Sequence, residues 1–241
     1  MRLRRTSRSS GVAVLAAGVA ALAAGAVMLA RVARRSGVTP ADLARRLPGD
    51  ELVADADLVV DRATALQACP ADVWPWIVQL GKGRGGWYMP ASLEWLIPDP
   101  AKRGARTIVP ELQALEVGAE VPDWGPGAPV FLVEVLDPPC ALVYRSLRQR
   151  SKGWTWPQTE RPLPPDAMAF SWALIIEDAG QDRSRLHVRL RATSGRGRIS
   201  PLFRFGGGLV DYATLVVLFA GLRERLAQAA PSTWSAGLET V

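Results

Sequence analysis

The chain has 241 residues, with 29 Lys and Arg against 23 Asp and Glu, one histidine and two cysteines. A single histidine excludes a two- or three-histidine metal site, and Cys69 and Cys140 form no CxxC cluster. The net charge of +6 belongs to the start: residues 1–35 hold seven Arg and no Lys, Asp or Glu, and the remainder has 22 basic against 23 acidic residues, a net of −1. The high pI is therefore no argument for a nucleic-acid partner.

Residues 11–30 (GVAVLAAGVAALAAGAVMLA) carry no charge and no strongly polar group. At about 1.5 Å per residue they are long enough for a bilayer core of roughly 30 Å. Arg2, Arg4, Arg5 and Arg8 precede them, and Arg31, Arg34 and Arg35 follow. A single-pass anchor, with residues 1–35 as basic flank and transmembrane helix, is the favoured reading. A cleaved signal peptide is the second, because Ala24-Gly25-Ala26 has the small-x-small pattern. A buried helix of a soluble fold is the third, since Ala and Gly make the span weakly hydrophobic. Charge on both flanks leaves the side of the folded part open: the start slightly favours the inside, and Arg45 and Arg46 erode that margin.

Residues 36–56 contain Pro40, Pro48 and Gly49 and read as a linker, before one domain at 57–230 and a tail at 231–241. Leu58 to Ala68 suits a strand. Pro70-Ala71-Asp72 opens a short helix to Leu80, which Pro75 is expected to kink or shorten. Gly81, Gly83, Gly85 and Gly86 make a loop before Trp87-Tyr88, and Ala91–Ile97 suits a second short helix. The glycines follow a helix rather than a strand, so they lack the context of a phosphate loop.

The second half is strand-rich: 130–136, 142–147, 170–177 and 185–192, with Asp137-Pro138-Pro139-Cys140 and residues 178–182 as turns. In the last strand Leu186, Val188, Leu190 and Ala192 share one face, and Arg185, His187, Arg189 and Arg191 the other. The basic face is expected to be solvated. Residues 151–168 read as a long loop or lid. The chain closes with a helix from about Leu209 to Ala229, freed by Gly206-Gly207-Gly208, apolar nearly all round at first and amphipathic later. Cys69 and Cys140 read as small buried hydrophobes, their pairing left open.

The order of strand, two short helices, antiparallel strands and a long terminal helix resembles the helix-grip layout of the START-like SRPBCC superfamily. The run Ala68-Cys69-Pro70-Ala71-Asp72-Val73-Trp74-Pro75-Trp76-Ile77-Val78-Gln79-Leu80-Gly81 is similar to the polyketide cyclase/dehydrase and lipid-transport branch. So are Gly85-Gly86-Trp87-Tyr88, Leu93-Glu94, the run from Arg106 to Gln113, Asp123-Trp124-Gly125-Pro126-Gly127, and Asp137-Pro138-Pro139 through Tyr144. The resemblance spans roughly residues 46–228. Cys69, where proline or alanine is usual, and the unusually apolar terminal helix depart from the pattern.

The resemblance implies an α+β fold, a curved antiparallel sheet around a long C-terminal helix with an apolar cavity between them. Nine Trp, seven of them between Trp74 and Trp156, support an aromatic cavity wall. The candidate lining is Trp74 and Ile77 from the first helix and Trp87 and Tyr88 after the glycines. Strands add Phe131, Val133, Tyr144, Trp172, Leu174, Leu186 and Val188, and the terminal helix Tyr212, Leu215 and Phe219. Polar candidates beside it are Glu94, Arg106 and Glu111, with Gln113 and Asp123. An ion pair of Arg106 with Glu94 or Glu111 reads as structural.

The expected function is binding of a hydrophobic small molecule or lipid by a domain tethered through residues 11–30, with no cofactor, metal or nucleic acid. Two alternatives stand beside it. One is a cyclase or dehydratase using Glu94 with Tyr88 or Tyr144 as general acid and base. The other is a ligand-free scaffold with a collapsed cavity.

Overall fold

The computed structural model describes residues 35–99, 103–124, 128–149, 163–195 and 201–229, with side chains of the last range described from Asp211 onward. The span 11–30, the tail and most of the 151–168 loop lie outside the described residues. No helix among the described residues is long and apolar enough to cross a membrane.

Thr39 starts helix α1, Pro40–Ala44, through a capping box with Asp42, and Pro40 occupies the first turn, where a missing N–H costs nothing. A tight turn at Asp50–Val53 leads to strand β1, Leu58–Leu66. Helix α2, Pro70–Gln79, opens on Pro70 and runs through Pro75 without ending there. Pro75 removes one backbone bond, and four consecutive buried residues from Trp76 to Gln79 hold the following turn in place. Ala91–Leu96 forms tight 3-10 turns instead of an α-helix.

Strands β2 (Glu120–Pro122), β3 (Val130–Asp137), β4 (Ala141–Gln149), β5 (Ala167–Gly180) and β6 (Arg183–Ser194) complete a six-stranded antiparallel sheet in the order β1-β6-β5-β4-β3-β2. Irregularities at Val133/Val135 and Asp178/Gly180 add twist to the curved sheet. Gln181 and Asp182 turn β5 into β6 with φ of 53° and 55°, the left-handed pair that a tight hairpin requires. Helix α3, Pro201–Ala229, begins eight residues before the expected Leu209 and contains Gly206-Gly207-Gly208. Glycine costs about 1 kcal/mol per helical position relative to alanine, and here the rest of the long helix outweighs it.

The main core lies between the concave face of the sheet and the helices. Leu186 and Val188 of β6, Leu174 and Ile176 of β5, and Leu142 and Val133 of the next strands meet Leu218 and Leu222 of α3, with Val73 and Ile77 of α2 packed alongside. Helix α3 is pressed close at one point: a Cβ on Gly221 would stand 2.6 Å from the backbone of Tyr88. Nearby Arg225, 1% exposed, donates to the carbonyls of Ala105, Met89, Gly221 and Gly104 and lies 4.7 Å from the Tyr88 ring centroid.

The convex face is covered too. Residues 36–56, expected as a linker, dock on it: Leu47 and Leu52 pack on Ala141, Val143, Ala173 and Ile175, and Val53 packs on Leu147, Ala167 and Ala169. The basic face of β6 is consequently not solvated. Arg189 is 3% exposed and His187 fully buried. Arg189 donates to Asp61 at 2.6 Å, Asp50 at 2.9 Å and the carbonyls of Arg45 and Asp42. His187 Nε2 lies 2.9 Å from the same Asp61 oxygen. Arg185 pairs with Asp42 and Glu177, and Arg191 donates to the carbonyls of Val53 and Ala54. Burial removes the water that the guanidinium groups would otherwise hold, and these carboxylates and carbonyls replace it. Cys69 and Cys140 are both free, and neither is the buried hydrophobe expected: Cys69 is half-buried and Cys140 exposed.

Candidate functional site

A hollow of about 150 Å³ opens between the sheet and the first described side chains of α3. That is on the order of a cavity that accepts one benzene-sized ring. The strands set its floor by register. Leu190, Trp172 and Tyr144 are successive cross-strand partners on β6, β5 and β4, so all three point to the concave face. Phe131, paired with Val121, extends the floor toward the β2 edge. Trp87 enters from the loop after α2 and is held by its indole N–H, which donates to Thr214 O of α3 at 3.2 Å. Leu215 and Asp211 close the helix side, and Trp124 and Asp123 form the rim with Leu80, Gly81, Val121 and Pro122.

The wall is aromatic and internally organised. Trp172 stacks with Tyr144 at 5.9 Å and with Trp87 at 6.1 Å, while Trp87 meets Trp124 edge-on at 6.0 Å. Phe131 lies 5.8 Å from Tyr144 and 6.0 Å from Trp172. Offset and edge contacts of this kind suit the ring quadrupoles and hold the side chains in fixed positions.

The wall has few polar groups. Asp123 is held by Arg148 at 2.6 Å, and that guanidinium also covers Phe131. Asp211 pairs with Arg62, a guanidinium 1% exposed beside the Tyr212 ring; burial brings its pKa down to about 10. The Tyr144 hydroxyl is buried and has no hydrogen-bond partner among the described residues. Burial raises the Tyr144 pKa well above the usual phenol value, with Arg84 opposing weakly, so the hydroxyl keeps its proton.

The expected lining residues separate into groups. Trp87, Phe131, Tyr144, Trp172 and Leu215 line the hollow. Ile77, Tyr88, Val133, Leu174, Leu186, Val188 and Phe219 are packed in the core, with Trp74 half-buried against it. Tyr88 is committed to structure: its hydroxyl donates to Trp76 O at 2.7 Å. Tyr212 serves as the partner of Arg62. Glu94 and Arg106 are paired at 2.9 Å, and Arg106 also binds Glu224 at 2.7 Å, a cluster around Arg225 that does not line the hollow. Glu111 is exposed on the tight turn Pro110–Leu112. Leu190 was legible as concave from strand alternation. Val121, Pro122 and Trp124 were not assigned to a wall, because a three-residue strand has too short a pattern to read.

Among the described residues, no three His, Cys, Asp or Glu side chains are grouped to hold a metal ion. No family model and no curated protein matches the chain. Solved structures resemble it only distantly. A protein from Arthrobacter aurescens is 10% identical, with 76% of this chain and 94% of that one covered and a TM-score of 0.40. CalU16 from Micromonospora echinospora is 13% identical, over 70% of this chain and 81% of that one, with a TM-score of 0.38. DynU16, from the dynemicin biosynthetic locus, is 16% identical over 73% of this chain and 49% of that one, with a TM-score of 0.37. Likenesses this distant carry no argument. The architecture itself is a six-stranded antiparallel sheet with a long C-terminal helix.

Proposed function

We propose that this chain binds a hydrophobic small molecule, or one end of a lipid, in the hollow between the sheet and α3, and that residues 11–30 hold it at a bilayer where such ligands dissolve. The observation that carries this reading is an aromatic-walled hollow in which the buried Tyr144 hydroxyl has no partner among the described residues. Apolar burial at about 25 cal/mol per Å² supplies the driving force. A ligand with a carbonyl or ether oxygen also satisfies the hydroxyl, which otherwise bears a desolvation cost without a bond. The cyclase-like alternative built on Glu94 loses its geometry, because Arg106 and Arg225 occupy that carboxylate away from the hollow.

The test uses the full chain, purified from its host membranes in mild detergent and extracted for mass spectrometry. An apolar compound should co-purify with the wild type and be lost from Leu215→Phe, which fills the hollow. Tyr144→Phe should weaken an oxygen-bearing ligand by about three- to tenfold and leave a pure hydrocarbon unaffected. An empty wild type, or equal occupancy of wild type and Leu215→Phe, would defeat the reading.

A further inference from the structure

A second cavity, of about 340 Å³, lies on the opposite side of the sheet. Its floor is the β1/β6 ladder, where Val59 pairs with Arg191 and Asp61 with Arg189. Arg35, Leu43, Ala44, Arg45, Arg46 and Asp50 of the covering segment complete its lining. Five arginines and two aspartates thus face one polar cavity.

The charges are unequally used. Arg189 and Arg191 are spent on Asp61, Asp50 and backbone carbonyls, and Arg45 is paired with Glu177. Arg35 and Arg46 make no ion pair or hydrogen bond among the described residues, and both are exposed. Two unpaired guanidinium groups thus face a polar cavity whose carboxylates are already engaged. Planar forks of donors match the oxygens of phosphate in pairs, which an isolated ammonium does not.

We propose that this cavity is a binding site for a phosphate group, held by Arg35 and Arg46 over the Arg189–Asp61 floor. The phosphate is either free or the headgroup of an anionic phospholipid. Arg35 follows the apolar span by only five residues, at most about 18 Å of extended chain. If residues 11–30 lie in a bilayer, Arg35 is therefore within reach of the headgroups, which favours the lipid source. The phosphate chemistry itself is independent of the aromatic hollow and of any ligand there.

The test titrates the full chain in non-ionic detergent, at fixed ionic strength, with inorganic phosphate and with dihexanoyl phosphatidic acid. Saturable binding is expected, weakened about tenfold or more in the double variant Arg35→Gln/Arg46→Gln, while Arg2, Arg4, Arg5, Arg8, Arg31 and Arg34 remain in place. Thermal unfolding of the double variant should match the wild type, since neither side chain bonds within the described fold. Phosphatidic acid at least ten times tighter than phosphate assigns the site to lipid; equal or weaker binding assigns it to free phosphate. Absence of saturation by either probe, or saturation unchanged in the double variant, overturns the site.

Discussion

The two faces of strand β6 bury alternate residues by opposite means. On the concave side Leu186 and Val188 meet the helices through apolar contact alone. On the convex side His187 and Arg189, one residue along in each case, are as deeply buried and are held by Asp61, Asp50 and the carbonyls of residues 42 and 45. Apolar packing tolerates a void, and the concave face contains one. A buried guanidinium tolerates no missing partner, because each unpaired charge in the interior costs several kcal/mol. The face that can hold an apolar ligand is therefore the one whose stability does not depend on every contact being made, whereas a guest on the convex face has to bring charge of its own.

The sharpest way to break this contrast is Asp61→Ala. It removes the carboxylate shared by Arg189 and His187 and should destabilise the fold by about 3–5 kcal/mol in chemical denaturation. A loss below about 1 kcal/mol would show that the convex cluster is not a structural requirement. Leu222→Ala, on the fully buried stripe of α3, should cost about 2–5 kcal/mol, by transfer and cavity terms rather than by charge. Raising salt should leave the Leu222→Ala penalty unchanged, and a strongly salt-dependent penalty would contradict an apolar origin.

The smallest effect expected is acid loosening of the covering segment. The Thr39 backbone N–H, with the Thr39 hydroxyl and Arg185, lowers the Asp42 pKa from 3.8 to about 2 against the opposing effect of burial. A carboxylate with a depressed folded pKa contributes stability that is fully present above the unfolded value and lost as pH falls through the folded one. Between about pH 4 and pH 2 the docking of α1 should weaken, seen as faster amide exchange over residues 39–45, and Asp42→Asn should show the loosened behaviour already at pH 7. Exchange in wild type that does not change across this interval would remove Asp42 from the account.

Strand alternation made the faces of β6 legible from the sequence, because a period of two depends only on local residues. It did not reveal what covers the arginines. Asp42 and Asp50 lie about 140 positions earlier, in a stretch whose prolines and polar residues look like a connection. Asp61 sits directly opposite Arg189 in the β1/β6 register, which no single strand discloses. The aromatic wall was partly legible for the same local reason: Phe131, Tyr144 and Trp172 sit on readable strands. Glu94 and Arg106 do pair with each other, but they were placed beside the cavity on type alone, and their further partners, Glu224 and Arg225, come from a helix more than a hundred residues away. Gly206-Gly207-Gly208 misled because propensity is a weak prior inside a long packed helix.

Those glycines have a mechanical consequence. The end of α3 from Gly221 to Leu226 is clamped, by backbone proximity at Tyr88 and by the carbonyls that Arg225 gathers. The stretch over the hollow, Asp211 to Leu215, is tied by the Arg62 ion pair and the Trp87 indole, just beyond the three glycines. The anchoring contacts of the helix are therefore concentrated in its C-terminal half, away from the opening. If a guest enters by displacing the other end of the helix while the core stays packed, amide exchange is expected to be faster at 211–215 than at 219–226.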